Sequence, residues 1–165
     1  RCKGNNLTIT GDGSLTINAT GNSGSSKGQG IGFAGSVTIA DDAQVTINTK
    51  DFTAGNYGIS AESFSTTSSK ALTLNVSSTQ TSGYLYGISA TSNPVTLSGS
   101  GAKTITMSGG WVADGIQAPK GVTVQGGALS ITHSGSRKGS SGISADSGAT
   151  LKTDVTIRFL QRSVH

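Results

Sequence analysis

The chain of 165 residues contains 25 glycines, 26 serines and 22 threonines, so three small residue types fill 44 per cent of it, while charged residues make up 12 per cent and aromatics 5 per cent. An ordinary domain carries about 25 per cent charged residues, so this composition points to a linker or an extended repetitive fold and away from a helical bundle. The single cysteine, Cys2, excludes a disulfide scaffold, no apolar run is long enough for a membrane helix, and the +4 net charge comes from basic residues scattered from Arg1 to Arg162 rather than from a nucleic-acid-binding face.

The chain opens on Arg1-Cys2-Lys3-Gly4, with no apolar segment of the signal-peptide kind behind it. Two strand-like triplets follow, Leu7-Thr8-Ile9 and Leu15-Thr16-Ile17, joined by the turn residues Gly11-Asp12-Gly13. Next comes Gly30-Ile31, the first of five Gly-Ile pairs; the others are Gly58-Ile59, Gly87-Ile88, Gly115-Ile116 and Gly142-Ile143. Their glycines are 28, 29, 28 and 27 residues apart, and four of the pairs are followed two residues later by Ala61, Ala90, Ala118 or Ala145. A fixed period of this length is the mark of a solenoid.

Between successive pairs lie segments of apolar-Thr-apolar form. Val37-Thr38-Ile39 and Val45-Thr46-Ile47 follow the first pair, with Asp41-Asp42-Ala43 between them. After the second only Leu72-Thr73-Leu74 is clear, and Phe64 stands in for the missing segment. Val95-Thr96-Leu97 and Ile105-Thr106-Met107 follow the third, Val122-Thr123-Val124 and Leu129-Ser130-Ile131 the fourth, and Val155-Thr156-Ile157 closes the series. Each segment alternates with period two, as a strand with one buried face does. Three short strands per repeat of about 28 residues predict an all-β fold, a parallel β-helix (β-solenoid) of five to six coils forming one domain over residues 1–165. The glycine of each pair is expected on the outside of its strand, at a bulge or close approach. Lys3-Gly4 ahead of Leu7 echoes Lys120-Gly121 ahead of Val122, a point inside a coil, so the chain is expected to be a fragment, or the ordered portion, of a longer one.

The recurring Gly-Ile-Ser-Ala step, the paired Val/Leu-Thr-Ile strands and the Gly-Asp-Gly-Ser type of turn resemble the carbohydrate-binding β-helix domains of bacterial surface proteins. The likeness runs from Leu7 to Ile157. It implies a pectate-lyase-like fold without catalysis, plant cell-wall polysaccharide as partner, an extracellular or cell-surface location, and in some members an association with calcium.

The residues themselves offer little for catalysis. There is one glutamate, Glu62, and the outward positions of the Gly-Ile strand are Gly32, Ser60, Ser89, Gln117 and Ser144, none of them ionisable. His133, expected in a turn, and His165 are far apart. A glycosidase needs two carboxylates within about 5 to 10 Å, so no enzyme is expected. No cofactor is required. Calcium could sit at Asp12, Asp41 and Asp42 in stacked turns; the competing role of these side chains is to bond their own backbone, as Asx turns do.

Aromatics gather just before the Gly-Ile pairs. Tyr57 and Tyr86 hold the same repeat position and should stack in adjacent coils, with Tyr84, Asp114 and Trp111 close by and Trp111 expected to be exposed in its Gly109-Gly110 setting. Aromatic rings beside Ser60, Ser89 and Gln117 suit the C–H faces and hydroxyls of an extended polysaccharide. These eight residues are the candidate carbohydrate site. Three alternatives stand beside it: a structural, adhesin-like surface shaft, a relative of polysaccharide lyases, and an ice-binding solenoid. The last would use an outward column expected to run Thr16, Thr46, Thr73, Thr106, Ser130 and Thr156, flanked by Asn18, Asn48, Asn75, Ser108, Thr132 and Arg158.

Overall fold

The computed structural model describes residues 6–22, 27–80, 82–135 and 139–160; Cys2 and His165 lie outside them. Every period-two triplet becomes a strand, and the strands stack in three parallel sheets that wind as a solenoid of about five turns. The first sheet consists of β1 (Asn6–Ile9), β4 (Ser36–Ile39), β7 (Ser63–Thr66), β10 (Val95–Leu97), β13 (Val122–Val124) and β16 (Ala149–Leu151) in that order. The second is β2 (Ser14–Thr20), β5 (Gln44–Lys50), β8 (Leu72–Ser78), β11 (Lys103–Gly109), β14 (Leu129–Ser134) and β17 (Val155–Leu160). The Gly-Ile strands make the third: β3 (Lys27–Gly32), β6 (Gly55–Ala61), β9 (Tyr84–Ala90), β12 (Val112–Gln117) and β15 (Ser140–Ser144).

The core is a set of columns in which each coil repeats the apolar residue of the last. Val37, Phe64, Val95 and Val122 form one such column, so Phe64 does fill the place of the missing triplet. Ile31, Ile59, Ile88 and Ile116 form another, and all are buried. Alignment of like side chains lets a chain that is 33 per cent hydrophobic bury a continuous core.

The structure corrects three details. First, Lys103 occupies the inward column of Leu72 and Leu129, which moves β11 by two residues from the register its Ile-Thr-Met triplet suggests. The outward hydroxyl column therefore runs Thr16, Thr46, Thr73, Thr104, Ser130 and Thr156, while Thr106, not Ser108, follows Asn75 in the next column. In that column Asn48 donates to Asn18 at 2.7 Å and Asn75 to Asn48 at 2.8 Å. Second, His133 is not in a turn. It lies on β14, buried at 2 per cent exposure, between Met107 and Phe159 of the neighbouring coils. Third, the glycine of the Gly-Ile pair faces inward. Gly58 and Ile59 are both buried, and the pairing passes from Tyr57–Tyr86 to Ile59–Ile88. A Cβ on Gly58 would lie 2.6 Å from the carbonyl oxygen of Gly87, so only glycine lets adjacent coils close at this kink.

Candidate functional site

The outward face of the third sheet carries three columns. The first runs Lys27, Gly55, Tyr84 and Val112; the second Gln29, Tyr57, Tyr86, Asp114 and Ser141; the third, past the glycine kink, Gly32, Ser60, Ser89, Gln117 and Ser144. Period-two alternation puts the first two columns on one face. The kink restores that face for the third by spending two consecutive residues inward.

The second column brings Tyr57 and Tyr86 together as expected. Their ring centroids are 4.8 Å apart and their planes differ by 19°. Tyr84, two residues before Tyr86 on the same strand, adds a third ring at 6.4 Å and 15°. Tyr84 is the most open of the three at 44 per cent exposure. Burial raises the pKa of both Tyr57 and Tyr86, and for Tyr86 the charges of Tyr57, Asp114 and Tyr84 push the same way. The phenols of Tyr57 and Tyr86 therefore stay protonated at neutral pH and can donate as well as accept hydrogen bonds.

Asp114 continues the tyrosine column on the next strand. Burial raises its carboxyl pKa, and hydrogen bonds donated by the Ser141 hydroxyl and backbone N–H oppose that shift. The third column is less available than its sequence suggests. Ser89 is only 5 per cent exposed and donates its hydroxyl to Gln117 Oε1 at 3.2 Å, so it orients that amide instead of facing solvent. Ser60 and Gln117 remain half-buried at the surface.

Trp111 sits in the corner after Gly109 and Gly110, whose φ values of 78° and 75° require the left-handed region. Its backbone N–H donates to the Gly83 carbonyl at 2.7 Å. It borders the tyrosine cluster, one residue ahead of the Val112 that pairs with Tyr84. It is half-buried rather than exposed.

Two further residues shape the face. A Cβ on Gly55 would come 2.9 Å from Tyr57 Cε2, so the Tyr57 ring lies over a glycine two positions earlier. Gln29 precedes Tyr57 in its column, yet its side chain folds over Gly32 and away from the ring. The sequence signals for both were present, in a glycine at i−2 and a position one repeat before Tyr57, but neither has chemistry that draws attention alone.

The proposed metal cluster is placed as follows. The turns of Asp12 and of Asp41-Asp42 are adjacent, joined by the Gln44 N–H to the Gly13 carbonyl at 3.0 Å. Asp41 adopts a positive φ of 55°, and the Asp42 carboxylate accepts a hydrogen bond from the Ser69 hydroxyl of the next coil. Among the described residues no three His, Cys, Asp or Glu side chains converge as a group that could hold a metal ion.

These features define a parallel β-solenoid with a tyrosine-rich patch on one outward face. No helix among the described residues is long and apolar enough to cross a membrane. Comparison with known proteins finds no family, no curated protein and no solved structure that matches the chain.

Proposed function

We propose that the chain is a non-catalytic polysaccharide-binding solenoid of a bacterial surface or secreted protein, with its site on the third sheet around Tyr57, Tyr84 and Tyr86. The observation that carries this reading is the tyrosine cluster itself: on an outward sheet face, the rings of Tyr57 and Tyr84 lie within 19° and 15° of parallel to that of Tyr86. Aromatic rings cost free energy when left in water, and outward columns elsewhere on this solenoid hold Ser, Thr and Asn. Near-parallel rings offer a surface on which pyranose C–H groups pack, and phenol hydroxyls, the Gln117 amide and the Asp114 carboxyl lie beside it for the sugar hydroxyls. The neighbouring Ser60 and Gly32 keep the face low enough for an extended chain to lie across it.

Nothing on this face is arranged to cleave the bound chain. Asp114 is its sole carboxyl group among the described residues of the three columns, and glycoside cleavage by acid and base uses two. The reading is tested with Tyr57→Ala/Tyr86→Ala in pull-down on insoluble cellulose and affinity electrophoresis on soluble pectic and other cell-wall polymers. Loss of about 1–3 kcal/mol of binding, equivalent to a factor of roughly 5 to 150, is expected for removing two stacked aromatics. Wild-type retention by none of these polymers, or undiminished retention of the variant, rejects it.

A further inference from the structure

In the second outward column of the third sheet, Asp114 follows Tyr57 and Tyr86. Strands in a sheet lie about 4.8 Å apart, so a sugar packed against Tyr86 has this carboxyl group within one coil spacing. Asp114 is half-buried and accepts hydrogen bonds from the hydroxyl and the backbone N–H of Ser141 on the following strand. Both bonds favour the charged carboxylate against the burial that disfavours it. A carboxylate offers about four acceptor directions and has no proton to give. Ser141 takes two of them from the side of β15, and sugar hydroxyls approach from outside the sheet.

No base balances this charge nearby. Among the described residues of the three columns the only cation is Lys27, on β3 in the first column, three strand spacings or about 14 Å from β12. The nearer outward residues Ser89, Gln117 and Ser144 carry no ionisable group. A molecule with a net charge of +4 thus places a negative point beside its aromatic patch.

We propose, resting on the polysaccharide-binding reading above, that Asp114 sets the substrate class of the tyrosine site: it selects uncharged polysaccharides, whose hydroxyls donate to it, and rejects carboxylated ones such as polyuronates. A neutral sugar beside Tyr86 presents hydroxyl donors, and a hydrogen bond to a charged acceptor is roughly twice as strong as one between neutral groups. A uronate presents a carboxylate in place of the primary hydroxyl. Two carboxylates face to face share no proton, and each loses water as they approach, so the contact is penalised. The attraction of the whole +4 molecule for a polyanion acts at longer range and is screened beyond about 8 Å at physiological salt, whereas a half-buried contact is screened much less.

Affinity electrophoresis at about 0.15 M salt tests this with each backbone in an uncharged and a charged form. The pairs are hydroxyethyl cellulose against carboxymethyl cellulose, and methyl-esterified against de-esterified galacturonan. Wild type is expected to bind the uncharged form of at least one pair about tenfold more tightly than its charged partner. Asp114→Asn keeps the shape and one acceptor, loses the charge and gains an amide donor that can meet a carboxylate. It should weaken binding of the uncharged form and strengthen that of the charged form, reducing the preference by about tenfold. Should this variant lose the β-sheet circular dichroism of wild type, Asp114→Ser replaces it, with the same expected loss of preference. Asp154→Asn, in the turn between β16 and β17 at the corner opposite the third sheet, removes the same charge from the molecule and should leave the preference unchanged.

A variant that had lost only the Ser141 contact would weaken both forms in parallel. Wild type that binds the charged form as tightly as the uncharged one, an unaltered preference in Asp114→Asn, or an equal shift in Asp154→Asn overturns the role of Asp114 and leaves polysaccharide binding standing. Retention by neither form of either backbone overturns both.

Discussion

Lys103 stands where Leu72 and Leu129 stand in the adjoining coils, 2 per cent exposed, and its ammonium donates to the carbonyls of Gly99 and Gly126. Burial lowers its pKa, which is the cost of placing a cation in an apolar column. The compensation is local: two carbonyl groups, that of Gly99 before β11 and that of Gly126 in the corresponding corner before β14, find a partner inside the fold. This residue explains the misplaced register. Ile105-Thr106-Met107 has the apolar-Thr-apolar form, whereas the inward set is Lys103, Ile105 and Met107, and a lysine hides its first member from any hydrophobic pattern.

His133 was hidden for a similar reason, since a polar residue after Leu-Ser-Ile-Thr reads as the start of a turn. It continues the inward column of Val76 and Met107, and its Nε2 lies 3.2 Å from the Gly109 carbonyl. Burial lowers its pKa below the ordinary 6.5, with the Gly109 hydrogen bond opposing. A base whose folded pKa is depressed gives stability that is fully present above its unfolded value and lost as pH falls through the folded one. The melting temperature is therefore expected to drop as pH falls below about 6.5, and His133→Met, which copies its neighbour Met107, should reduce that part of the drop. Equal pH slopes for the two proteins would dissociate His133 from the effect.

At the scale of the element, the Gly-Ile strand is the unit that makes both core and site. Its period of about 28 residues was legible because glycine and isoleucine are each required, and required together. Which way the glycine faced was not legible: a glycine shows no side chain to assign to a face, and the kink breaks the alternation that would otherwise settle it. The contacts settle it. A Cβ on Gly87 would meet the Gly115 carbonyl oxygen and Ile105 Cγ2, both parts of the packed interior.

Gly87→Ala should therefore cost roughly 2–3 kcal/mol, the upper part of the range for overpacking. Gly13→Ala, with nothing within 4 Å of the added carbon, should change stability by less than about 1 kcal/mol. Chemical denaturation of the pair measures the contrast, and similar midpoints would contradict an inward glycine. The same strand shows how far the site could be read. Tyr57 and Tyr86 were placed together by period alone, and the structure stacks them. Burial of Ser89 and the folded-over Gln29 depend on side-chain neighbours one coil away, which a linear pattern does not contain.

For the whole molecule, the composition proves to be a consequence of the architecture. Glycine is needed where coils close at the kink, threonine and asparagine face outward on the second sheet, and serine bridges coils on the first, as Ser63 does to Ser36 at 2.8 Å. The hydrogen bonds that join one coil to the next lie along the solenoid axis, because the strands run across it. The first and last described strands lie at opposite ends of that axis. A force applied to them loads one coil boundary at a time, by peeling, and the rows behind it bear almost nothing until their turn comes.

The mechanical response should then be a sawtooth of weak, evenly spaced steps. Each step should release one coil of about 28 residues, or roughly 90–100 Å of extended chain. Single-molecule extension between residues near Asn6 and Leu160 would show it, and one large cooperative rupture would speak against unwinding coil by coil. A solenoid of this kind behaves less as a rigid rod than as a spool that lengthens while its remaining turns stay intact.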